Sequence, residues 1–290
     1  MADRGVEVKP KVAFLLSYAY FKPPILALIA QYAAEGHDII IDCGAFTAYH
    51  TGRVFTTNGY AMALAQLPFK PVMAFHLDVV GKARETWRNY EEMMEMGAPV
   101  NFVYQRGAPV EDAYKALDRQ QHIAVGGLGG SNRKDAYLTW LQTKLPFDRC
   151  HLLGIAKPWQ LAKWRPLSAD ATTWMNGSLW GEMALYHGQG QFTRVYRSSW
   201  STAKKRPVVQ RGLQRNGIAM QQMEMRESWS GKDGRAALVT ARSYALFGHD
   251  LSAIGTRLAL VVTSVDNATR AKQACDWAQA QEFHLQPATA

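Results

Sequence analysis

Short apolar runs that end on a carboxylate, an amide or a glycine recur from the start of the chain to well past its middle. They are Val12–Ser17, Ile39-Ile40-Ile41 closing on Asp42, Pro71–Asp78, Val100–Gln105, His122–Val125 leading into Gly126-Gly127, Cys150–Ile155 and Leu167–Asp170. Runs this short, several of them rich in β-branched residues, read as strands buried on both faces, as in a parallel sheet. Between them lie stretches of helical periodicity bounded by breakers: Ile25–Ala34 before Gly36, Tyr60–Gln66 before Pro68, Ala83–Met96 before Gly97, Val110–Asp118, Lys134–Thr143, and Trp159–Trp164 before Pro166. Strict alternation with short connections predicts βα units. This many units in so little chain favour a closed (β/α)8 TIM barrel over an open sheet. Residues 191–290 are less regular: a basic insertion followed by C-terminal helices. A further barrel strand is expected in Phe192–Tyr196 and helices over Arg235–Phe247, Ser252–Val262 and Ala268–Gln281, so that one domain spans 1–290 with a helical C-terminal extension.

In a barrel the carboxyl ends of all strands meet on one face, where active sites lie. Asp42, Asp78, Gln105, Gly126, Gly127 and Asp170 are therefore expected together. Three carboxylates and an amide around one pocket suit acid–base and nucleophilic work on a polar ring or a sugar. A pair of carboxylates suits glycosidic chemistry, one attacking the anomeric carbon and the other moving the proton. The Gly-Gly turn lets backbone N–H groups approach a ligand carbonyl. Each feature also has a plain reading: a strand-end Asp can cap the next helix, and Gly126–Gly130 can be a βα loop. A phosphate cradle lacks the lysine and serine spacing it needs.

Composition adds a partner class. Lys and Arg number 33 against 24 Asp and Glu, a net charge of +9, which favours a polyanion. Arg194, Arg197, Lys204, Lys205, Arg206, Arg211 and Arg215 crowd one segment with Tyr196 and Trp200 among them. Basic residues interleaved with aromatics suit a groove that tracks phosphates and stacks bases; the alternative is a solvated loop. Cys43, Cys150 and Cys275 are far apart and form no CxxC pair, so neither a disulfide framework nor a cysteine zinc cluster is expected, and no cofactor is implied. No apolar run approaches a membrane span and Met1–Lys11 is polar, which leads to the expectation of a cytoplasmic protein without a membrane partner, in the host cytoplasm if phage-encoded.

Five short motifs, in order and in register, carry a resemblance. Asp42-Cys43-Gly44-Ala45-Phe46 resembles the Asp-Ser-Gly-Gly-aromatic motif of the queuine tRNA-ribosyltransferase superfamily. Tyr104-Gln105-Arg106-Gly107 is similar to that family's Gln-Gly strand end, and Gly126-Gly127-Leu128 to its Gly-Gly-Leu turn. His151-Leu152-Leu153-Gly154-Ile155-Ala156-Lys157-Pro158 is similar to its His-Tyr-Leu-Met-Gly-Val-Gly-x-Pro stretch, and the likeness covers residues 12 to about 174. It implies a (β/α)8 barrel that exchanges guanine in a nucleic acid for a 7-deazaguanine. By position it implies that Asp170 is the nucleophile and Asp42 the general acid/base, that Asp78 and Gln105 bind the edge of the base, that the N–H near Gly127 holds the purine carbonyl, and that Phe46 and Leu153 sandwich the ring.

The chain departs from the tRNA enzymes in lacking their Cys-x-Cys-x-x-Cys…His zinc site after the nucleophile. Its Ser168-Ala169-Asp170-Ala171-Thr172-Thr173-Trp174 stretch looks more like the phage and bacterial branch that places 7-deazaguanines in DNA, the deoxypurine-in-DNA protein A group. The expected activity is thus a DNA base-exchange transglycosylase. The alternatives are a queuine-type tRNA-guanine transglycosylase and a catalytically silent nucleic-acid-binding barrel. Oligomeric state, a homodimer included, is left open. His76 and Met93, Met94 and Met96 read as packing, as do Trp159, Trp164, Trp174 and Trp180, and Cys43 beside Asp42 reads as no nucleophile.

Overall fold

Strand β1 (Ala13–Ser17) lies between β2 (Ile39–Asp42) and β10 (Arg257–Val262) in a computed structural model that describes residues 12–128, 134–229 and 234–281. Around it run β3 (Met73–Ala74), β4 (Val103–Gln105), β5 (Ile123–Gly126), β6 (Cys150–Leu152) and β7 (Ser168–Ala171). All eight strands are parallel, in the order β3-β2-β1-β10-β7-β6-β5-β4. The result is an α/β fold whose curled parallel sheet alternates with helices and is TIM-barrel-like. The two outer strands approach each other: Phe75 and Asn101 form a parallel bridge, with the His76 N–H donating to Asn101 O at 3.0 Å.

The apolar runs are buried on both faces because each face meets a different core. Ala13, Leu15, Ile40, Met73, Phe75, Val103, Ala124, Ala259 and Val261 fill the inside of the curl. Phe14, Leu16, Ile39, Ile41, Phe102, Ile123, Val125, Leu152 and Leu260 face the surrounding helices. The sequence's three consecutive isoleucines serve both.

Helices Pro23–Ala34, Ala83–Glu95, Val110–Arg119, Lys134–Gln142 and Pro158–Trp164 fall where periodicity places them, and Thr57–Ala65 starts three residues before the expected Tyr60. The chain after β7 departs from expectation in two ways. Phe192–Tyr196 is indeed a strand, β9, but it pairs antiparallel with β8 (Glu182–Tyr186) in a separate hairpin. The eighth parallel strand is instead β10, within the segment Ser252–Val262 that the sequence assigned to a helix. Leu258-Ala259-Leu260-Val261-Val262 is buried throughout, and Gly255, at φ +83°, ends the preceding helix ahead of it. The closing helix Val265–Gln281 is the partner of β10 in the same alternation and buries Ala268, Ala271, Ala274, Cys275 and Ala278.

Between β7 and β10 the insertion has its own core of Met183, Leu185, Val195, Trp200, Val209, Leu213, Met223 and Trp229. It packs on the helix Arg235–Ser252, which is buried on most of its surface because it lies between this core and the main one. Gly177 permits a close approach there: a Cβ on it would stand 2.7 Å from Ala237 Cα and 2.9 Å from Ala236 O. Among the described residues no helix is long and apolar enough to cross a membrane.

Candidate active site

The expected strand-end residues come together at one end of the sheet. Asp42 ends β2 beside Ser17 of β1, its register partner. The next turn is tight: Gly44, at φ +82°, donates its N–H to Asp42 Oδ2 at 2.9 Å, and a Cβ on it would press within 3.0 Å of Ala19 N. Only glycine meets both demands, a left-handed backbone and no side-chain volume. Phe46 follows in the first turn of the helix Ala45–Thr51, 66 % exposed, its ring 4.3 Å from that of His50.

Asp78 lies beyond β3, buried, and two donors converge on it. The Cys43 thiol donates to Oδ1 at 2.9 Å and the Gln105 amide donates to Oδ2. Burial pushes the Asp78 carboxyl up to about 7 and the nearby charge of Asp42 adds to this, with the Cys43 hydrogen bond opposing. Burial likewise holds the Cys43 thiol well above its ordinary value, reinforced by Asp78 and Asp42, so Cys43 is a hydrogen-bond donor and not a thiolate. The other half of the Gln105 amide, Oε1, is buried without a partner among the described residues. It faces Gly127, at φ +69°, where a Cβ would come within 2.8 Å of it. Gly126 is less constrained, with Leu153 Cδ1 and Gln105 Nε2 each a little over 3 Å from where its Cβ would sit. Gly129 and Gly130 lie outside the described residues.

Asp170, 7 % exposed, is the penultimate residue of β7. Its Oδ1 accepts the Gly154 N–H at 2.7 Å and faces His151 Nε2 at 3.3 Å. The other ring nitrogen of His151 lies 2.8 Å from Ser168 Oγ, and both residues are fully buried. A ring that donates from Nε2 to the carboxylate and accepts the Ser168 hydroxyl at Nδ1 satisfies all three groups. His151 and Ser168 are register partners on neighbouring strands, both inward-facing, which is why a polar chain can run from the interior to the strand end. Neither has a role legible in the sequence; a histidine and a serine inside apolar runs look like core. His76 is such a case: buried, 5.4 Å from and nearly parallel to Phe102, accepting the Val103 N–H at Nδ1, with burial pushing it down to about 4.

Asp42 and Asp170 therefore differ. Burial raises the Asp42 carboxyl above the ordinary carboxylate range and the Asp170 charge adds to this, against the pull of Ser17, Gly44 and His151. Asp170 carries a fixed N–H on one oxygen and leaves the other available. A carboxyl raised by burial beside one whose Oδ1 is occupied by the Gly154 N–H is an arrangement that suits an acid/base with a nucleophile.

The cationic residues are less uniform. Arg194 is tied to the buried Glu182, and Lys204 pairs with Glu224 at 2.8 Å. Arg197, Lys205, Arg206 and Arg211 are exposed, and no ion pair engages them among the described residues. Trp200 is not a stacking platform: it is buried 5.4 Å from Trp229 in the insertion's core. Trp164 and Trp174 are buried as expected, whereas Trp159 and Trp180 are exposed. Among the described residues no cluster of His, Cys, Asp and Glu is arranged to hold a metal ion. No protein-family model matches the chain, and no curated protein is detectably similar to it.

Proposed function

We propose that this chain is a base-exchange transglycosylase that replaces guanine in DNA with a 7-deazaguanine, on a closed (β/α)8 barrel. Register supports closure. Pairing leads from Leu15 through Ile40 to Met73; two residues on, Phe75 leads to Asn101; two on, Val103 leads through Ala124, His151 and Ser168 to Arg257; two on, Ala259 leads to Ala13. One circuit thus displaces the register by about eight residues, the shear of a TIM barrel.

The observation that carries the chemistry is the contrast between Asp170 and Asp42. The free oxygen of Asp170 attacks the anomeric carbon as the bond to guanine breaks, and the Asp42 carboxylic acid delivers a proton to the departing base. The incoming 7-deazaguanine then loses its ring N–H proton to Asp42 and displaces the sugar from Asp170. Gly154 and His151 hold the spectator oxygen of Asp170 throughout. Asp78 and Gln105 suit the polar edge of the purine: an ionised Asp78 accepts from its adjacent N–H and NH2 donors, and the unpartnered Gln105 Oε1 is a further acceptor. Phe46, exposed, and Leu153, beside Gly126, suit the two faces of the ring.

DNA is favoured over tRNA by the Ser168–Trp174 stretch and by the lack in the sequence of the cysteine cluster of the tRNA enzymes. The test is a competition with labelled guanine, duplex DNA and bulk tRNA. Label enters DNA and not tRNA if the reading is right. Label in tRNA alone identifies the tRNA enzyme, and label in neither identifies a silent barrel.

A further inference from the structure

Leu179 and Trp180 are 64 % and 75 % exposed, although the short helix that carries them, Asn176–Trp180, is firmly seated. Gly177 presses on the backbone of Ala236 and Ala237. Gly181, at φ +61°, ends the helix with its Cα against the Trp229 carbonyl, where a Cβ would lie 3.0 Å from the oxygen. The chain reaches this helix from β7 through a single 3-10 turn, and Trp180 lies ten residues after Asp170. The backbone on either side of Trp180 is thus fixed against the insertion while its indole stands in water beside a second large exposed apolar residue, Leu179.

Its neighbours have a matching chemistry. The Arg197 N–H donates to Gly181 O at 3.3 Å, and Tyr196 pairs with Glu182 in the β8–β9 register, so Trp180 sits across the hairpin end from Tyr196 and Arg197. Tyr196 is 46 % exposed and Arg197 is exposed, with no carboxylate paired to it among the described residues. The same hairpin face is tied to the end of β7: Arg194 reaches Tyr244 Oη at 3.5 Å, and the Thr173 hydroxyl donates to that oxygen at 2.7 Å.

We propose that Trp180, with Tyr196 and Arg197, forms a stacking platform for an unpaired nucleobase of a single DNA strand, the indole taking the base face and Arg197 the adjoining phosphate. The platform rests on the reading above only for its purpose, to hold the strand beside a flipped nucleotide. Two rings and an unpaired cation around one hairpin end complement a polyanion with π faces. This places the base-stacking role on Trp180 and not on the buried Trp200.

The test is fluorescence anisotropy of a short, labelled single-stranded oligothymidylate bound to the full chain and to Trp180→Ala, Trp180→Phe and Arg197→Ala, with the mass of each protein measured by light scattering. Trp180→Ala should weaken binding roughly 5- to 150-fold, as for loss of one stacked base, and Trp180→Phe should recover most of it. Arg197→Ala should reduce the log–log salt slope by about 0.7. Unchanged affinity in Trp180→Ala overturns the proposal, as does a wild-type chain that does not bind the oligonucleotide. A dimer that Trp180→Ala converts to monomer with affinity unchanged also overturns it, marking a protein interface instead. Binding that depends on Trp180 in a protein showing no base exchange upholds the platform and refutes the transglycosylase reading alone.

Discussion

At the scale of single residues, Asp78 is the most informative. Two donors point at it, yet burial and Asp42 keep its carboxyl titrating near 7. In the proposed reaction the ionised form is the one that accepts two donors from a guanine edge. Guanine affinity should therefore fall as pH drops below about 7, approaching tenfold per unit, and calorimetric titration across pH 5 to 8 measures this. The same shift acts on stability with a definite sign. A carboxyl whose folded value is raised binds its proton more tightly in the fold, so its contribution is present below about 4 and lost as pH rises through about 7. Relative to wild type, Asp78→Asn should gain on the order of 4 kcal/mol between those limits, read by urea unfolding at a series of pH values. A difference independent of pH would show that Asp78 is ionised in the fold without penalty. His151 makes a complementary case. His151→Gln should leave DNA binding within a fewfold of wild type and slow exchange about 10- to 1,000-fold, because the spectator oxygen of Asp170 loses one of its two polar partners. Unaltered single-turnover rates would remove His151 from the account. Asp42, Asp78, Gln105 and Asp170 were legible because each ends an apolar run, where a charge has no packing purpose. His151 and Ser168 were not, because a polar residue inside such a run is indistinguishable by pattern from a satisfied core group such as His76.

At the scale of elements, the first seven strands and all but one of the longer helices between them were readable because each obeys its own period and ends on a breaker; the helix Ala45–Thr51 was missed. The eighth was not. Arg257–Val262 follows a helix after a single glycine turn, and its apolar residues blend into that helix's own; only the vacancy between β7 and β1 in the sheet calls for a strand there. The hairpin β8–β9 was half legible: the strand Phe192–Tyr196 was visible, its partner and its separate sheet were not, because cross-strand pairing is set by tertiary contacts. The helix Arg235–Ser252 joins the two cores, and at Gly177 the chain after β7 comes close against its backbone. Gly177→Ala should destabilise the protein by about 1–3 kcal/mol despite alanine's better helix propensity, since the new methyl group meets backbone that cannot rotate away. Thermal and urea unfolding check this; a variant as stable as wild type would show that the helix Asn176–Trp180 is seated loosely.

At the scale of the molecule, a TIM-barrel-like sheet presents three carboxyl groups and an amide at its carboxyl end, and an insertion with its own core carries exposed rings and cations. The net charge of +9 was visible in the sequence, but its distribution was not. Arg194 and Lys204 spend their charge on Glu182 and Glu224, while Arg197, Lys205, Arg206 and Arg211 keep theirs for solvent or a ligand. The central claim is that Asp170 attacks the sugar. It is tested most directly by denaturing the enzyme during exchange on a guanine-containing DNA, digesting both components and locating any covalent adduct by mass spectrometry. The account predicts a nucleotide joined through its anomeric carbon to the peptide containing Asp170, released when guanine is added before denaturation and missing from Asp170→Asn. Exchange that proceeds at wild-type rate in Asp170→Asn, or an adduct on any other residue, would contradict it.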